Sequence, residues 1–342
     1  MESVTNPHDK LFRETWSDRQ TAQDFLQNYL PHDVLALLEL ESLDIAKDSF
    51  IEKDLRDYYS DLLYKINIAG NPGYVYILFE HKSFPVRFIH LQLLEYMLKI
   101  WHLFLKQEKA CQKSRRLPII IPVVLFHGKD HWTAPVMFSK LFSGPTEQLA
   151  RYIPNFDYIL HDLTQYSDAE IKGAVLSRIV LLLFKHIFDP DLAQRLPEIF
   201  ALAKELLQRD DGLHCLEMIL RYVFSATENM SVEQLQKMIN RSLSEKQGAM
   251  IMTLAKQLEQ QGYDKGIQQG MQQGMQQGIR TGLLEGIQLA LEVKFGEQGR
   301  LLMPAIHDVQ ALTHLEAIKE VIRTSHDISG IQAIIESTLT TR

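Results

Sequence analysis

Cysteine is scarce in this sequence. Its 342 residues include only Cys111 and Cys215, which lie far apart and form no CxxC pair. This spacing argues against a disulfide framework and against a zinc site built from cysteines. Low cysteine use is typical of a reducing cytoplasm, and we expect the protein to be located there.

Apolar runs long enough to cross a membrane are also missing. The longest runs, Leu117–Phe126 and Val180–Phe184, are well short of the about 20 residues that a transmembrane helix needs. The first residues, Met1–Lys10, lack the apolar core of a signal peptide. We therefore expect a soluble protein with no membrane partner.

Positive charge is not in excess. There are 36 Lys and Arg residues against 43 Asp and Glu residues, and the net charge is −7. No global positive field therefore attracts nucleic acid, although a local basic patch can still hold a phosphate backbone. The candidate patch, which a solvated connecting segment would explain equally well, follows the predicted central helix and contains Lys106, Lys109, Lys113, Arg115 and Arg116.

Motifs of two common enzyme classes are absent from the sequence as well. It has no HExxH pattern and no P-loop, and the missing P-loop disfavours an ATP-driven motor. His127 and His131 have the spacing of a zinc-binding pair on a helix. The preceding apolar strand and Gly128 predict a loop at this point instead, so we do not expect a metal there.

A β-hairpin is predicted in the first quarter of the chain. Tyr58–Ile68 and Tyr74–Phe79 are rich in the aromatic and β-branched residues that strands favour. The segment between them, Gly70-Asn71-Pro72-Gly73, is a strong turn signal.

Further elements complete an α/β core around this hairpin. Thr21–Leu40 has helical spacing, and Pro31 divides it into two helical pieces. Arg87–Leu105 predicts another helix, Leu117–Phe126 a buried central strand and Tyr158–Leu163 one more short strand. The order helix, strand, strand, helix, strand predicts an α/β core of about 160 residues.

The rest of the chain has mostly helical spacing. Changes in composition divide the sequence into a core at 1–165, a helical region at 166–258, a repeat at 259–290 and a helical tail at 291–342. The predicted helices are Glu170–Phe188, Leu192–Gln208, Leu213–Thr227, Val232–Leu243, Leu283–Phe295 and His314–Thr324.

The repeat places a glycine at every fourth position, with glutamine-rich residues between. A step of four advances about 40° beyond a full helical turn, so the glycines wind around a helix and form no single stripe. Each glycine costs about 1 kcal/mol relative to alanine, so this helix needs a partner, such as a second copy of the chain. A flexible linker is the alternative. The glycines are Gly262, Gly266, Gly270, Gly274, Gly278, Gly282 and Gly286.

Candidate chemistry is concentrated on the hairpin. Asp61 lies in the first predicted strand, and Glu80-His81-Lys82 ends the second. Carboxylates are depleted in strands, and a single one can simply cap a strand end in water. Side chains alternate along a strand, so Glu80 and Lys82 are predicted to share a face.

Asp61 on the neighbouring strand, about 4.8 Å away, can reach the same place. Two carboxylates form a hard oxygen site that suits Mg²⁺. A lysine beside them can orient an attacking water molecule or stabilise charge on a phosphate. This combination favours hydrolysis of a phosphodiester bond.

The sequence also resembles a known family. The segments that carry the resemblance occur in order over roughly residues 5–300, and the glycine repeat is common there too. They resemble the YhgA-like family of recombination-promoting nucleases and putative transposases, within the PD-(D/E)XK nuclease superfamily. The segments are HDKLFRE at 8–14, FLQNYLP at 25–31, SDLLYKI at 60–66, YVYILFEHKS at 74–83, LQLLEYMLKIW at 91–101 and PIIIPVVLFHGKDHW at 118–132.

The resemblance implies a mixed sheet flanked by helices and an Mg²⁺-dependent DNA endonuclease. It implies that Asp61 and Glu80 bind the metal and that Lys82 is the catalytic lysine. Many members have EHQS where this chain has EHKS at 80–83, so the lysine matches the broader superfamily pattern or is a solvated replacement for glutamine.

The resemblance leaves two further members of the implied site undecided. Gln92 on the following helix could face the site, as a glutamine does in some relatives. An acidic residue from the first helix sometimes completes such sites, and Glu39 and Glu41 are the candidates. The alternative function is an inactive DNA-binding or assembly protein on the same fold. No carboxylate triad supports transposase chemistry.

Overall fold

The computed structural model describes residues 6–46, 62–80, 86–111, 116–227, 232–242, 244–325 and 327–340. Contacts between residues divide the chain into two compact units, 1–256 and 257–342. The four-part division by composition is finer and stays a prediction.

A five-stranded mixed sheet forms the centre of the first unit. The strands β1, β2 and β3 pair antiparallel, whereas β3, β4 and β5 are parallel. The predicted α/β class, a mixed sheet flanked by helices and followed by a helical region, is confirmed. In spatial order the strands are β1 (Leu38–Ile45), β2 (Leu62–Ile68), β3 (Asn71–Glu80), β4 (Ile119–Phe126) and β5 (Ile159–Asp162).

The predicted hairpin is confirmed as β2 and β3. Its turn is tighter than predicted, because Ile68 already pairs with Asn71 and only two residues connect the strands. Those residues, Ala69 and Gly70, have φ angles of 47° and 78°. Such left-handed conformations suit two-residue hairpin turns.

The first strand was not predicted. The sequence predicted helix as far as Leu40, but α3 ends at Leu35 and β1 begins at Leu38. The register of β1 against β2 is irregular between Glu39 and Asp44, which breaks the strict alternation by which a strand is recognised. Its acidic residues are also typical of an edge strand, where charge prevents pairing with other chains.

Helices cover both faces of the sheet. On one face, α4 (Ile89–Cys111) packs its buried side chains against Tyr76 and Leu78 of β3 and against Val124 of β4. On the opposite face, α1 (Pro7–Trp16) lies close enough for the Tyr64 hydroxyl to donate to the Trp16 carbonyl at 2.8 Å. Two more helices share that opposite face, α2 (Arg19–Tyr29) and α5 (Val175–His186).

The predicted helical character beyond residue 168 is confirmed. Among the described residues, none of the helices combines the length and apolarity needed to cross a membrane. The remaining helices are α3 (His32–Leu35), α6 (Leu192–Ala201), α7 (Ala203–Leu206), α8 (Gly212–Ala226), α9 (Val232–Ser242), α10 (Glu245–Arg300), α11 (Met303–His307), α12 (Leu312–Thr324) and α13 (Ser329–Thr340).

The second unit has a small helical core of its own. Buried aliphatic side chains of α10, including Ile287 and Leu291, pack against Ile306, Ile318 and Ile331 of the three following helices. The end of α12 is capped by a side chain, because the Lys294 ammonium donates to the carbonyls of residues 322, 323 and 325 at 2.8 to 2.9 Å. A cation satisfies these carbonyls and complements the helix dipole.

The glycine repeat is helical throughout, within α10. A Cβ atom added at any of its seven glycines would meet nothing within 4 Å. Apolar side chains follow the same four-residue spacing and are exposed: Tyr263, Ile267, Met271, Met275 and Ile279. Nothing described in the second unit therefore requires glycine at these positions.

Gly270→Ala is therefore expected to stabilise the helix. Alanine lowers the free energy of a helix interior by about 1 kcal/mol, which should slow amide hydrogen exchange across the repeat about fivefold. Gly299→Ala is the contrasting control, at a glycine that follows the non-helical residue Gly296 near the end of α10. Its Cβ would lie 2.4 Å from the Leu291 carbonyl oxygen, so we expect faster exchange. Equal effects of the two variants would contradict this account.

Candidate active site

Asp61, Glu80 and Lys82 are the residues predicted to carry the chemistry, and of these the structure describes the backbone of Glu80. Glu80 is the last residue of β3, the middle strand, and pairs with Phe126 at the end of β4. Asp61 and Lys82 lie outside the described residues.

Three parallel strands finish together beside Glu80. Phe126 pairs with Glu80 on one side and with Asp162, the last residue of β5, on the other. We call this the carboxyl end of the sheet. In open α/β sheets, ligands bind in the crevice outside the carboxyl ends of the strands. The backbone of Glu80 is therefore at the end of the sheet where sites are commonly built.

Asp162 organises the loop that follows β4. Its carboxylate is 7% exposed and accepts hydrogen bonds from the Trp132 amide at 2.9 Å and from the Thr164 amide and hydroxyl at 3.0 and 2.7 Å. Three donors satisfy a buried carboxylate, so its role is to hold the loop in place. The cap on Thr164 is a local feature, two residues along the chain, but sequence reasoning did not single out Asp162 because the contact with the Trp132 amide joins residues 30 apart.

An aromatic cluster lies under the start of the same loop. His127 is buried, and its ring stacks against Phe184 and Phe188 with centroid distances of 4.9 and 5.5 Å. The His8 ring meets it edge-on at 4.9 Å, and Nδ1 of His8 lies 2.9 Å from the Tyr222 hydroxyl. The HDKLFRE segment thereby borders the carboxyl end of the sheet through α1.

The two histidines of the FHGKDHW segment have different surroundings. His127 is enclosed by the aromatic cluster, whereas His131 is exposed and its Nδ1 lies 2.8 Å from the Thr164 hydroxyl. Residues after β4 form no helix here, so the four-residue spacing does not give the shared face that a zinc pair needs.

The assignment of Glu39 and Glu41 to the first helix is wrong, since both lie on β1. Glu39 accepts hydrogen bonds from the Gly70 amide at 2.9 Å and the Asn67 side chain at 3.1 Å, so it holds the hairpin turn. Asn67 pairs with Pro72, which at 3.3 Å per residue is about 26 Å from Glu80 along β3.

Glu41 is no better placed than Glu39. It is exposed on the edge strand, between Glu39 and Asp44. Asp44 pairs with Lys65, which in turn pairs with Tyr74 near the start of β3. Both acids therefore belong to the end of the hairpin remote from Glu80.

Gln92 is at the same end of the sheet as Glu80. It is half-buried on the first turn of α4, the helix that covers the face of Tyr76 and Leu78. Its contribution to the site stays a prediction.

The basic run is at the opposite end. Lys106 and Arg116 are exposed, Lys109 lies near the end of α4, and Lys113 and Arg115 are outside the described residues. Because α4 rises 1.5 Å per residue, Lys106 is about 26 Å along the helix from Ile89. The run does not flank Glu80.

His161 is a buried histidine next to Asp162 on β5. Its Nδ1 lies 2.9 Å from the Tyr166 hydroxyl, and Nε2 has no hydrogen-bond partner among the described residues. The rings of Phe25 and Tyr29 meet it edge-on. Burial lowers the pKa of His161 to about 4, because the charged imidazolium would lose its hydration.

The stability of the first unit should therefore decrease with acidity. The unfolded chain binds this proton near pH 6.5 and the folded chain near pH 4, so stability is complete above pH 6.5 and falls as the pH drops toward 4. The expected loss is about 3 kcal/mol.

Urea titrations across this pH range test the effect by tryptophan fluorescence. All three tryptophans lie in the first unit. His161→Phe is expected to flatten the pH dependence, and His214→Phe, at an exposed histidine, is the matched control. An unchanged slope in His161→Phe would contradict the assignment.

Comparison with known proteins identifies the family. The model of the family described as "Putative transposase, YhgA-like" matches residues 6–214, which is more than half of the chain. The chain belongs to this family. The matched residues include the whole sheet and the helices on both of its faces.

Curated relatives include proteins named nucleases and proteins named inactive. The chain is 31% identical to the recombination-promoting nuclease RpnC of Escherichia coli K12 over 59% of this chain and 65% of that relative, just under two thirds of its length. It is 31% identical to the inactive recombination-promoting nuclease-like protein RpnE of the same strain, over 76% of this chain and 84% of RpnE. The nuclease RpnA of that strain is 27% identical over 75% and 85% of the two chains. No solved structure matches the chain.

Proposed function

We propose that the protein is a Mg²⁺-dependent DNA endonuclease of the PD-(D/E)XK type that hydrolyses phosphodiester bonds and takes part in recombination. The observation that carries the proposal is the position of Glu80, which ends the middle strand of a mixed sheet where three parallel strands finish. Membership of a family whose curated relatives are named recombination-promoting nucleases supports the same activity.

The alternation of the hairpin strands supports a ligand pair. Leu63 of β2 lies opposite Tyr76 of β3, and Tyr76 faces α4. Asp61 is two positions before Leu63, and Glu80 is four positions after Tyr76. Side chains an even number of positions apart share a face of a regular strand, so strict alternation would place Asp61 and Glu80 on the face that α4 covers. We propose that Asp61 and Glu80 are the two metal ligands.

The donor set fits a magnesium ion. Two carboxylates provide hard oxygen ligands and leave coordination positions for water and for substrate phosphate. The bound ion would supply Lewis-acid activation of water and charge neutralisation at the phosphate. Asp61 and Glu80 would hold it, and no cysteine or histidine ligand is needed.

Lys82 has a separate role in this proposal. A lysine ammonium donates three hydrogen bonds and carries a full positive charge. It would orient the attacking water molecule and stabilise the charge that develops on the phosphate oxygens. Gln92, on the helix covering the same face, is proposed to position the substrate or the water through its amide.

Cleavage of supercoiled plasmid by the purified chain tests the proposal. We expect nicked and linear products with Mg²⁺ and none with excess EDTA, and activity should return when Mg²⁺ is restored. Intact plasmid over a range of Mg²⁺ and Mn²⁺ concentrations would refute the proposal. Circular plasmid without free ends separates an endonuclease from an exonuclease.

One comparison favours a second function, an inactive DNA-binding or assembly protein. The relative RpnE aligns over most of its length and is named inactive. In a gel-shift assay with the same plasmid and Mg²⁺, this alternative predicts retarded but intact DNA. The endonuclease predicts products that appear with time.

Two further proposals follow from the nuclease activity and the repeat. If the substrate is cellular DNA, the protein would be located in the cytoplasm. The exposed apolar positions of the glycine repeat, such as Met271 and Met275, would associate with the repeat of a second copy. This gives the repeat the partner that its weak helix propensity requires.

A further inference from the structure

The outer side of α4 carries three exposed leucines. Leu91, Leu98 and Leu105 are 56%, 45% and 39% exposed, although the opposite side of the helix is buried against the sheet. Residues seven apart drift by only about 20° around a helix, so the three form one straight row. Single exposed leucines are ordinary, but a row at heptad spacing is typical of a helix that pairs with another helix.

Two polar residues complete the exposed row. Glu95 lies between the first two leucines and His102 between the last two, and both are exposed. The row therefore reads Leu, Glu, Leu, His, Leu, with alternating steps of four and three. Such steps keep side chains on one seam along a helix pair.

This row is complementary to itself only when reversed. If an identical helix packs antiparallel with the axis at Leu98, Leu91 meets Leu105 of the second copy. Glu95 of one copy then lies within one residue of the position opposite His102 of the second copy. At this distance the His102 imidazole N–H can donate to the Glu95 carboxylate. A parallel copy would place Glu95 beside Glu95, and like charges at an interface oppose association.

We propose that the outer side of α4 is an interface between two copies of this chain, antiparallel and centred on Leu98. The three leucine layers supply apolar burial, and the Glu95–His102 pairs set the direction. Within each copy the Lys99 ammonium lies 2.8 Å from the Glu95 carboxylate, which fixes that carboxylate at the seam. The interface is in the first unit and is separate from the glycine repeat.

Site-specific disulfides test the direction. In full-length chains carrying Cys111→Ser and Cys215→Ala, Leu98→Cys is expected to cross-link to itself under mild oxidation. Differently tagged Leu91→Cys and Leu105→Cys chains, co-expressed, should cross-link to each other. Leu37→Cys, at a leucine of similar exposure outside α4, is the control.

Sedimentation velocity of the full chain tests the energetics. Leu98→Glu is expected to raise the dissociation constant of the dimer at least about tenfold, and Leu37→Glu to leave it unchanged. Leu98→Glu and Leu37→Glu are compared in chains that also carry Met271→Glu and Met275→Glu, so that association through the exposed repeat does not mask the effect at α4. Leu91→Cys cross-linking to itself, or Leu98→Cys cross-linking no better than Leu37→Cys, would overturn the proposal. So would a dissociation constant that Leu98→Glu leaves unaltered.

Discussion

Lys82→Ala is expected to reduce plasmid cleavage at least about a hundredfold without unfolding the protein. The proposed role of the ammonium is to stabilise charge that exists only in the transition state, and removal of one such group typically costs 10²–10³ in rate. Cleavage rates with saturating Mg²⁺ measure the effect, and tryptophan fluorescence in urea checks that the first unit stays folded.

Two variants sharpen the Lys82 experiment. Lys65→Ala removes an exposed lysine from the neighbouring strand, far from the carboxyl end of the sheet, and should cut plasmid at the normal rate. Lys82→Gln keeps a polar side chain of similar length without the positive charge and shows whether glutamine supports cleavage. Full activity in Lys82→Ala would show that the lysine has no role in catalysis. The proposed metal ligands would then still be tested by Glu80→Gln.

Phe184→Ala is expected to destabilise the first unit by about 3–5 kcal/mol. Phe184 is fully buried on α5 and joins three parts of the structure. Its ring centroid lies 4.9 Å from that of His127 after β4, 6.3 Å from Trp16 on α1 and 5.6 Å from Tyr222 on α8. Truncation leaves a cavity among aromatic rings that cannot move together to fill it.

Urea unfolding followed by tryptophan fluorescence measures this loss in the first unit. Phe88→Ala is the control, because Phe88 is 51% exposed and its truncation should change stability by no more than about 0.5 kcal/mol. Comparable midpoints for the two variants would show that the aromatic cluster does not hold these helices together.

The prediction of the hairpin succeeded because its signals are local. Aromatic and β-branched residues on either side of a glycine-containing turn specify two paired strands without reference to the rest of the chain. The long helix α4 and the buried strand β4 were predicted for the same reason, since their apolar periodicity lies within each segment.

The prediction failed at β1, where local and distant interactions differ. Residues 34–40 have helix-like apolar spacing, but the backbone of Leu38 and Glu39 pairs with β2. Pairing with a strand more than 20 residues away is not encoded in the spacing of the segment itself, and tertiary interactions override weak local preference. Because Glu39 and Glu41 lie on β1 and not on the first helix, both are far from Glu80.

The sequence by itself determined the family and the α/β class and singled out Asp61, Glu80 and Lys82 as candidates for phosphodiester hydrolysis, because these inferences depend on residue type and spacing along the chain. Only the tertiary structure decided which groups meet. It placed Glu80 at the carboxyl end of three parallel strands, His8 against His127, and the basic run at the far end of α4. Register and helix packing make these contacts, and they join residues that no local pattern connects.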